Sequence, residues 1–97
     1  MTIELINTPN QTLTVRLNNA SLFISLQTHN GILYASTSIN GEAVANGVRC
    51  VNGSRITPRS ADRAIGGFLV FKTANGSYPN YEDFGMGCSL EYEARNV

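Results

Sequence analysis

The sequence is poor in charge and has no tryptophan. Charged residues make up 14% of its 97 positions, well below the roughly 25% of an average globular chain. Seven basic residues balance seven acidic ones, so no net positive charge is available to attract nucleic-acid phosphates or an anionic membrane. We therefore expect neither a nucleic acid nor a membrane as a partner.

Long apolar runs and abundant cysteines are missing as well. The first six residues lack the basic start and the apolar stretch of a secretory signal peptide, and no stretch is long enough for a membrane-spanning helix. We therefore expect synthesis in a cytoplasm. In that reducing compartment Cys50 and Cys88 are predicted to be buried free thiols, with a single disulfide or a metal site as the alternatives.

Residues for catalysis are scarce. The only histidine, His29, falls in a predicted turn, and the sequence places no nucleophile or orienting group beside it. Glu82 and Asp83 are adjacent, so their side chains point in different directions and are interpreted as solvated charges. One histidine and two distant cysteines do not meet the spacing of a zinc site. We predict that the protein is not an enzyme, with no catalytic residue, metal ligand or cofactor.

Turn signals are the most frequent feature that is present. Five Asn-Gly steps occur, and each allows the positive φ angles of a tight hairpin turn. They are Asn30-Gly31, Asn40-Gly41, Asn46-Gly47, Asn52-Gly53 and Asn75-Gly76. Between them lie short stretches of β-branched and aliphatic residues, which indicates an all-β chain with many reversals.

Apolar residues alternate with polar ones in the first half of the chain. Residues 13–17 and 22–26 have the period-2 pattern of strands with one buried face, and Asn18-Asn19 is predicted to reverse the chain between them. Asn30-Gly31 and Asn40-Gly41 are predicted to be hairpin turns. Asn46-Gly47 follows too soon for another hairpin, so it is interpreted as a bulge within one strand.

The second half is less regular. Ser54–Ile56 is expected to pair back on residues 48–51, and Ser60–Ala64 to form a helical turn. Phe68–Phe71 is apolar on both faces, which predicts a central strand, and Ser89–Glu93 alternates again. Seven to eight short strands in a single domain, residues 1–97, predict a small antiparallel β-barrel or a two-layer β-sandwich.

An aromatic segment near the end is a candidate protein interface. Tyr78, Tyr81 and Phe84 lie in a turn-rich stretch, and tyrosine in particular is favoured at protein–protein contacts. The alternative is that the three rings fold back and cap the end of the fold, and both can hold at once. We predict that Tyr81→Ala weakens partner binding more than folding.

Arginines cluster in the middle of the chain. Arg49, Arg55, Arg59 and Arg63 form this cluster, and Arg55, Arg59 and Arg63 are candidate interface residues. Small barrels of the OB type bind single-stranded nucleic acids through basic grooves and exposed aromatics, so a small β-barrel binding module for a single strand or a protein is the alternative function. Against the nucleic-acid version, the net charge is zero and the aromatics lie mostly in another segment. The simpler interpretation is that the arginines bind carboxylates or carbonyls, within the chain or across an interface.

Three segments, in this order, resemble the baseplate plug family of contractile-tailed bacteriophages, of the cyanophage type. They are Thr8–Asn18 with its Pro-Asn-Gln-Thr turn, Ile39–Cys50 with its two Gly turns, and the aromatic end of the chain formed by Gly67–Phe71, Tyr81–Gly85 and Leu90–Tyr92. The similarity covers nearly the whole chain. The turn at Asn18-Asn19 departs from it by lacking glycine, and Thr57–Gly67 is longer than is usual in the family.

The resemblance implies a structural role. The protein would be a virion component of the tail baseplate, present in the host cytoplasm during assembly, and would plug or bridge the junction between the tail tube and the hub and spike proteins. Sheet edges and loops would dock on hub and tube subunits, in several symmetric copies. The resemblance supplies no catalytic residue.

Overall fold

The computed structural model of the protein describes residues 2–94. The strands are β1 (Thr2–Ile3), β2 (Gln11–Leu17), β3 (Ala20–His29), β4 (Ile32–Ile39), β5 (Glu42–Arg49), β6 (Gly67–Thr73) and β7 (Cys88–Ala94). The helical segments are a 3₁₀ turn at Arg59–Ala61 that leads into α1 (Asp62–Ile65), and a second 3₁₀ turn at Tyr81–Asp83. Seven strands in this range, with little helix, confirm the all-β prediction.

Strands β2 to β5 form a four-stranded antiparallel sheet in chain order. They are joined by two-residue turns at Asn18-Asn19, Asn30-Gly31 and Asn40-Gly41, whose residues have φ angles between 50° and 88°. Two consecutive positive φ angles are the backbone of a type I′ turn, whose twist matches that of the flanking strands. The three predicted reversals are confirmed. At the first, two asparagines suffice because asparagine tolerates the left-handed region.

Strand β5 contains the predicted bulge. Between two paired positions, Asn46 and Gly47 of β5 oppose the single residue Ser36 of β4. Gly47 has a φ of 61°, and its N–H donates to the Ser36 hydroxyl at 2.9 Å. The extra residue bends the strand, as bulges do.

Strands β1, β7 and β6 form a second antiparallel sheet with β7 in the centre. The prediction that Phe68–Phe71 is a central strand is therefore wrong, because β6 lies at the sheet edge. Leu69, Val70 and Phe71 are nevertheless all buried. The apolar run reflects the burial of side chains on both faces of β6. Its outer edge is also covered by another part of the chain.

Residues 52–56 cover that outer edge. The N–H of Gly53 donates to the Phe71 carbonyl at 2.9 Å, and the N–H of Ile56 donates to the Leu69 carbonyl at 3.0 Å. The expectation that Ser54–Ile56 pairs back on residues 48–51 is wrong. Ser54 keeps one turn contact, from its N–H to the Val51 carbonyl at 3.2 Å, whereas Arg55 and Ile56 pair with β6. This pairing removes an exposed sheet edge.

The two sheets share one hydrophobic core. Its completely buried side chains come from both sheets and include Leu22, Ile24, Leu26, Leu69, Phe71 and Leu90. The sheets remain separate and are not closed into a barrel, so the two-layer sandwich is the alternative that fits.

The predicted helical turn at Ser60–Ala64 is confirmed as the 3₁₀ turn and α1. Gly66, with a φ of 72°, ends the helix in the left-handed conformation. The Tyr92 hydroxyl donates to the Ile65 carbonyl at 2.5 Å, which ties the end of the helix to β7.

Candidate protein interface

Residues 77–87, called the aromatic loop below, form most of the connection between β6 and β7 and are held at several points. Asn80 precedes the 3₁₀ turn and accepts a hydrogen bond from the N–H of Glu82 at 3.0 Å, as a helix N-cap does. The Asn7 side chain donates to the carbonyls of Tyr81 and Phe84 at 3.0 Å each. The loop is therefore fastened to the segment between β1 and β2 and presents a defined surface.

The three aromatic rings predicted as interface residues have three different environments. Phe84 is 3% exposed, and its ring stacks on Phe71 with centroids 6.0 Å apart. Tyr81 is partly buried and packs against the core. Tyr78 is 63% exposed. The cap and the interface interpretations thus divide between residues, with Phe84 serving as the cap and Tyr78 open to a partner.

Arg49, at the end of β5, contacts the exposed ring of Tyr78. Its guanidinium carbon lies 4.5 Å from the ring centroid, the geometry of a cation–π contact. Tyrosine and arginine are both favoured at protein–protein contacts. Arg49 belongs to the arginine cluster of the sequence but was not among the predicted site residues, because its nearness to Tyr78 depends on how β5 and the aromatic loop pack.

Other exposed apolar side chains accompany Tyr78. Met86, in the aromatic loop, is 84% exposed, and Ile6, next to Asn7, is 62% exposed. Because Asn7 is bonded to the loop, Ile6 lies beside it in the fold although it is far away in sequence. Large apolar side chains that are exposed to solvent on and beside a loop favour contact with another protein.

The three arginines predicted as interface residues are not equivalent. Arg55 forms an ion pair with the buried carboxylate of Asp62, and its guanidinium carbon lies 4.2 Å from the ring centroid of Phe68. Arg55 thus follows the simpler interpretation of a contact within the chain. Arg59 and Arg63 are exposed at the helical turn. Within residues 2–94, neither Arg59 nor Arg63 forms a hydrogen bond, ion pair or cation–π contact with the aromatic loop, so the six candidates form at least two separate groups.

The residues considered for catalysis are not assembled into a site. His29 is exposed at the end of β3, with the Gln27 side chain 3.5 Å from its Nε2 and the Tyr34 ring 6.1 Å away. Glu82 and Asp83 are exposed in the 3₁₀ turn. Within residues 2–94, no group of three or more histidine, cysteine, aspartate or glutamate residues could hold a metal ion.

The two cysteines are free and buried, as predicted. Burial raises the pKa of Cys50 to about 12, with the neighbouring Cys88 as a smaller cause. Burial also raises the pKa of Cys88, and its backbone contact with Asn80 opposes this. Both thiols are therefore protonated at neutral pH and act as small apolar core residues.

Two antiparallel sheets around one core define a small β-sandwich, and its aromatic loop, held by Asn7, carries the exposed side chains of Tyr78 and Met86. A family model matches residues 1–95, and the chain belongs to that family, described as cyanophage baseplate Pam3 plug gp18. The resemblance predicted from the sequence is confirmed. A search of the curated proteins finds no match.

Membership of this family indicates a baseplate plug, a component of the virion tail that assembles with other baseplate components. It also indicates a structural rather than a catalytic role. In the described range, residues 2–94, no helix is both long and apolar enough to cross a membrane.

Proposed function

We propose that the whole chain acts as one plug domain at the centre of the tail baseplate, where it fills or bridges the junction between the tail tube and the hub and spike proteins. Several copies are arranged around the tail axis. In this role the protein contributes contact surface and mechanical closure and carries out no reaction.

The observation that supports this role best is the combination of a fastened loop with exposed anchors. Tyr78 and Met86 are mostly exposed, whereas Asn7 and Phe84 fix the loop that carries them. A rigid loop loses little conformational entropy on docking, so more of its contact free energy appears as affinity. The aromatic loop is therefore our proposed docking surface for a hub or tube subunit.

The environment of the arginines favours a protein partner over a single-stranded nucleic acid. Arg55 is engaged by Asp62 and lies over the Phe68 ring, and Arg49 occupies one face of Tyr78. Stacking of bases needs open aromatic faces beside free basic groups. The two aromatic rings next to these arginines each have one face already covered.

Co-purification tests the proposal. The tagged full-length chain is expected to retain tail-tube or hub subunits when all are produced together, and Tyr78→Ala is expected to reduce the amount retained. Phe23→Ala, which removes a 42% exposed ring on the four-stranded sheet, is the control and should leave it unchanged. Retention of neither subunit, together with a shift of single-stranded DNA at physiological salt, would contradict the proposal.

A further inference from the structure

The two sheets have four edge strands, and their open backbone edges are blocked against pairing with another strand to very different degrees. The outer edge of β6 is bonded to residues 52–56, β5 is interrupted by its bulge, and β1 has only two residues. Strand β2 has seven residues, no bulge and no proline, and its only strand partner in residues 2–94 is β3. Proteins usually block such an edge because it is a template for another strand.

The register shows which groups of β2 are open. Leu17 pairs with Ala20 across a two-residue turn, which makes them a hydrogen-bonded pair, and bonded and non-bonded pairs then alternate along the ladder. The N–H and C=O groups of Thr12, Thr14 and Arg16 therefore point away from β3. No hydrogen bond to these backbone groups is formed by any residue within positions 2–94.

We propose that this edge pairs with β2 of a second copy of the chain, antiparallel, around a two-fold axis at Thr14. The inference does not depend on the baseplate role. In this register Thr14 faces Thr14 of the second copy and Thr12 faces Arg16, so no two like charges are opposite each other. The partly buried Leu13 faces Val15 of the second copy, so apolar side chains extend the inner face of both sheets.

Other registers fit less well. An axis at Arg16 sets two arginines against each other, and an axis at any other position of the strand pairs fewer of the three open residues. The zero net charge of the chain adds no general repulsion between copies. An isologous pair closes at two copies, so it describes the free protein and leaves contacts along the tail axis to other surfaces.

The mass of the full-length chain in solution, measured by light scattering during size exclusion, tests the pairing. We expect twice the 10.5 kDa of one chain. Thr14→Lys and Thr14→Glu each place like charges across the axis, so each variant alone should be a monomer, and an equal mixture of the two should form dimers again. Ala43→Lys, at the exposed start of the bulged strand β5, is the matched control and should remain a dimer.

Hydrogen exchange locates the contact. The amides of Thr12, Thr14 and Arg16 should exchange fast in dilute protein and slowly in concentrated protein, whereas those of Leu13 and Val15, which face β3, should be protected in both. A wild-type monomer up to the solubility limit would overturn the proposal. A dimer that survives Thr14→Lys, or one that leaves these three amides unprotected, would overturn it too.

Discussion

The side-chain amide of Asn7 donates to the carbonyl oxygen of Phe84 at 3.0 Å, and this contact joins two segments from opposite ends of the sequence. On one side it holds the connection between β1 and β2, and on the other it holds the aromatic loop just before β7. The loop that carries the proposed docking residues is thus positioned by a residue from the other end of the chain.

Replacing Asn7 with alanine should loosen the aromatic loop. The substitution removes donors to the carbonyls of Tyr81 and Phe84, and we expect the free energy of unfolding to fall by about 1–2 kcal/mol. Chemical denaturation measures this. Asn46→Ala, an exposed change in the β5 bulge, is the control and should stay within about 0.5 kcal/mol of wild type. Equal effects of the two variants would show that the Asn7 contacts do not stabilise the loop.

Phe84 and Tyr78, one buried and one exposed, should contribute very differently to the stability of the fold. Phe84→Ala removes a buried ring stacked on Phe71 and should cost about 3–5 kcal/mol of unfolding free energy. Tyr78→Ala removes a mostly exposed ring with one cation–π contact and should cost about 1 kcal/mol or less. Thermal and urea unfolding of the two variants compare them. Similar losses would mean that Tyr78 also belongs to the core.

Substitutions of the two tyrosines in the aromatic loop should affect partner binding more than stability. Tyr81→Ala is predicted to weaken partner binding more than folding, and Tyr78→Ala should do so with less loss of stability, since its ring is the more exposed. The dissociation constant for the hub or tube subunit that co-purifies with the chain, measured beside the unfolding free energy, tests both variants. If Tyr81→Ala lowers the melting temperature and the affinity in proportion, that ring serves only as a cap.

The buried thiols should make stability depend on alkaline pH. In the unfolded chain the pKa of Cys50 returns towards its ordinary 9.0, whereas in the folded protein it is about 12. Between these values the unfolded state binds fewer protons, so the free energy of unfolding should decrease as pH rises from 9.0 to about 12. Urea unfolding at a series of pH values measures the slope.

Cys50→Ala is the comparison for that slope. It should be less stable at neutral pH because it leaves a small cavity, and its stability should decline less steeply in the alkaline range. A thiol reagent at neutral pH should label neither cysteine of the folded wild-type protein and both after denaturation. Rapid labelling of Cys50 in the folded protein, or the same alkaline slope in the variant, would contradict the burial of Cys50.

Local chemistry made much of the fold predictable. Asn40-Gly41 and Asn46-Gly47 look alike in isolation, yet their spacing separates a hairpin from a bulge, because four residues are too few for a strand between two hairpins. The position of β6 was not predictable from Phe68–Phe71. An apolar run reports that a strand is covered, and an edge strand covered by residues 52–56 has the same pattern as a central one.

The candidate site was predictable only in part. The aromatic composition of the loop indicated a contact surface, but the division between the buried Phe84 and the exposed Tyr78 depends on tertiary packing. The contact of Arg49 with Tyr78 and the contacts of Asn7 with the loop join segments that are distant in sequence. No local pattern carries that information.

The most direct test of the proposed function is a cryo-electron microscopy map of the assembled tail tip. We predict density for this chain at the tail axis between the tube and the hub, with the aromatic loop, and Tyr78 in particular, against a hub or tube subunit. A map that resolves the baseplate and shows the junction filled by another protein, or this chain at the periphery with Tyr78 facing solvent, would contradict the account.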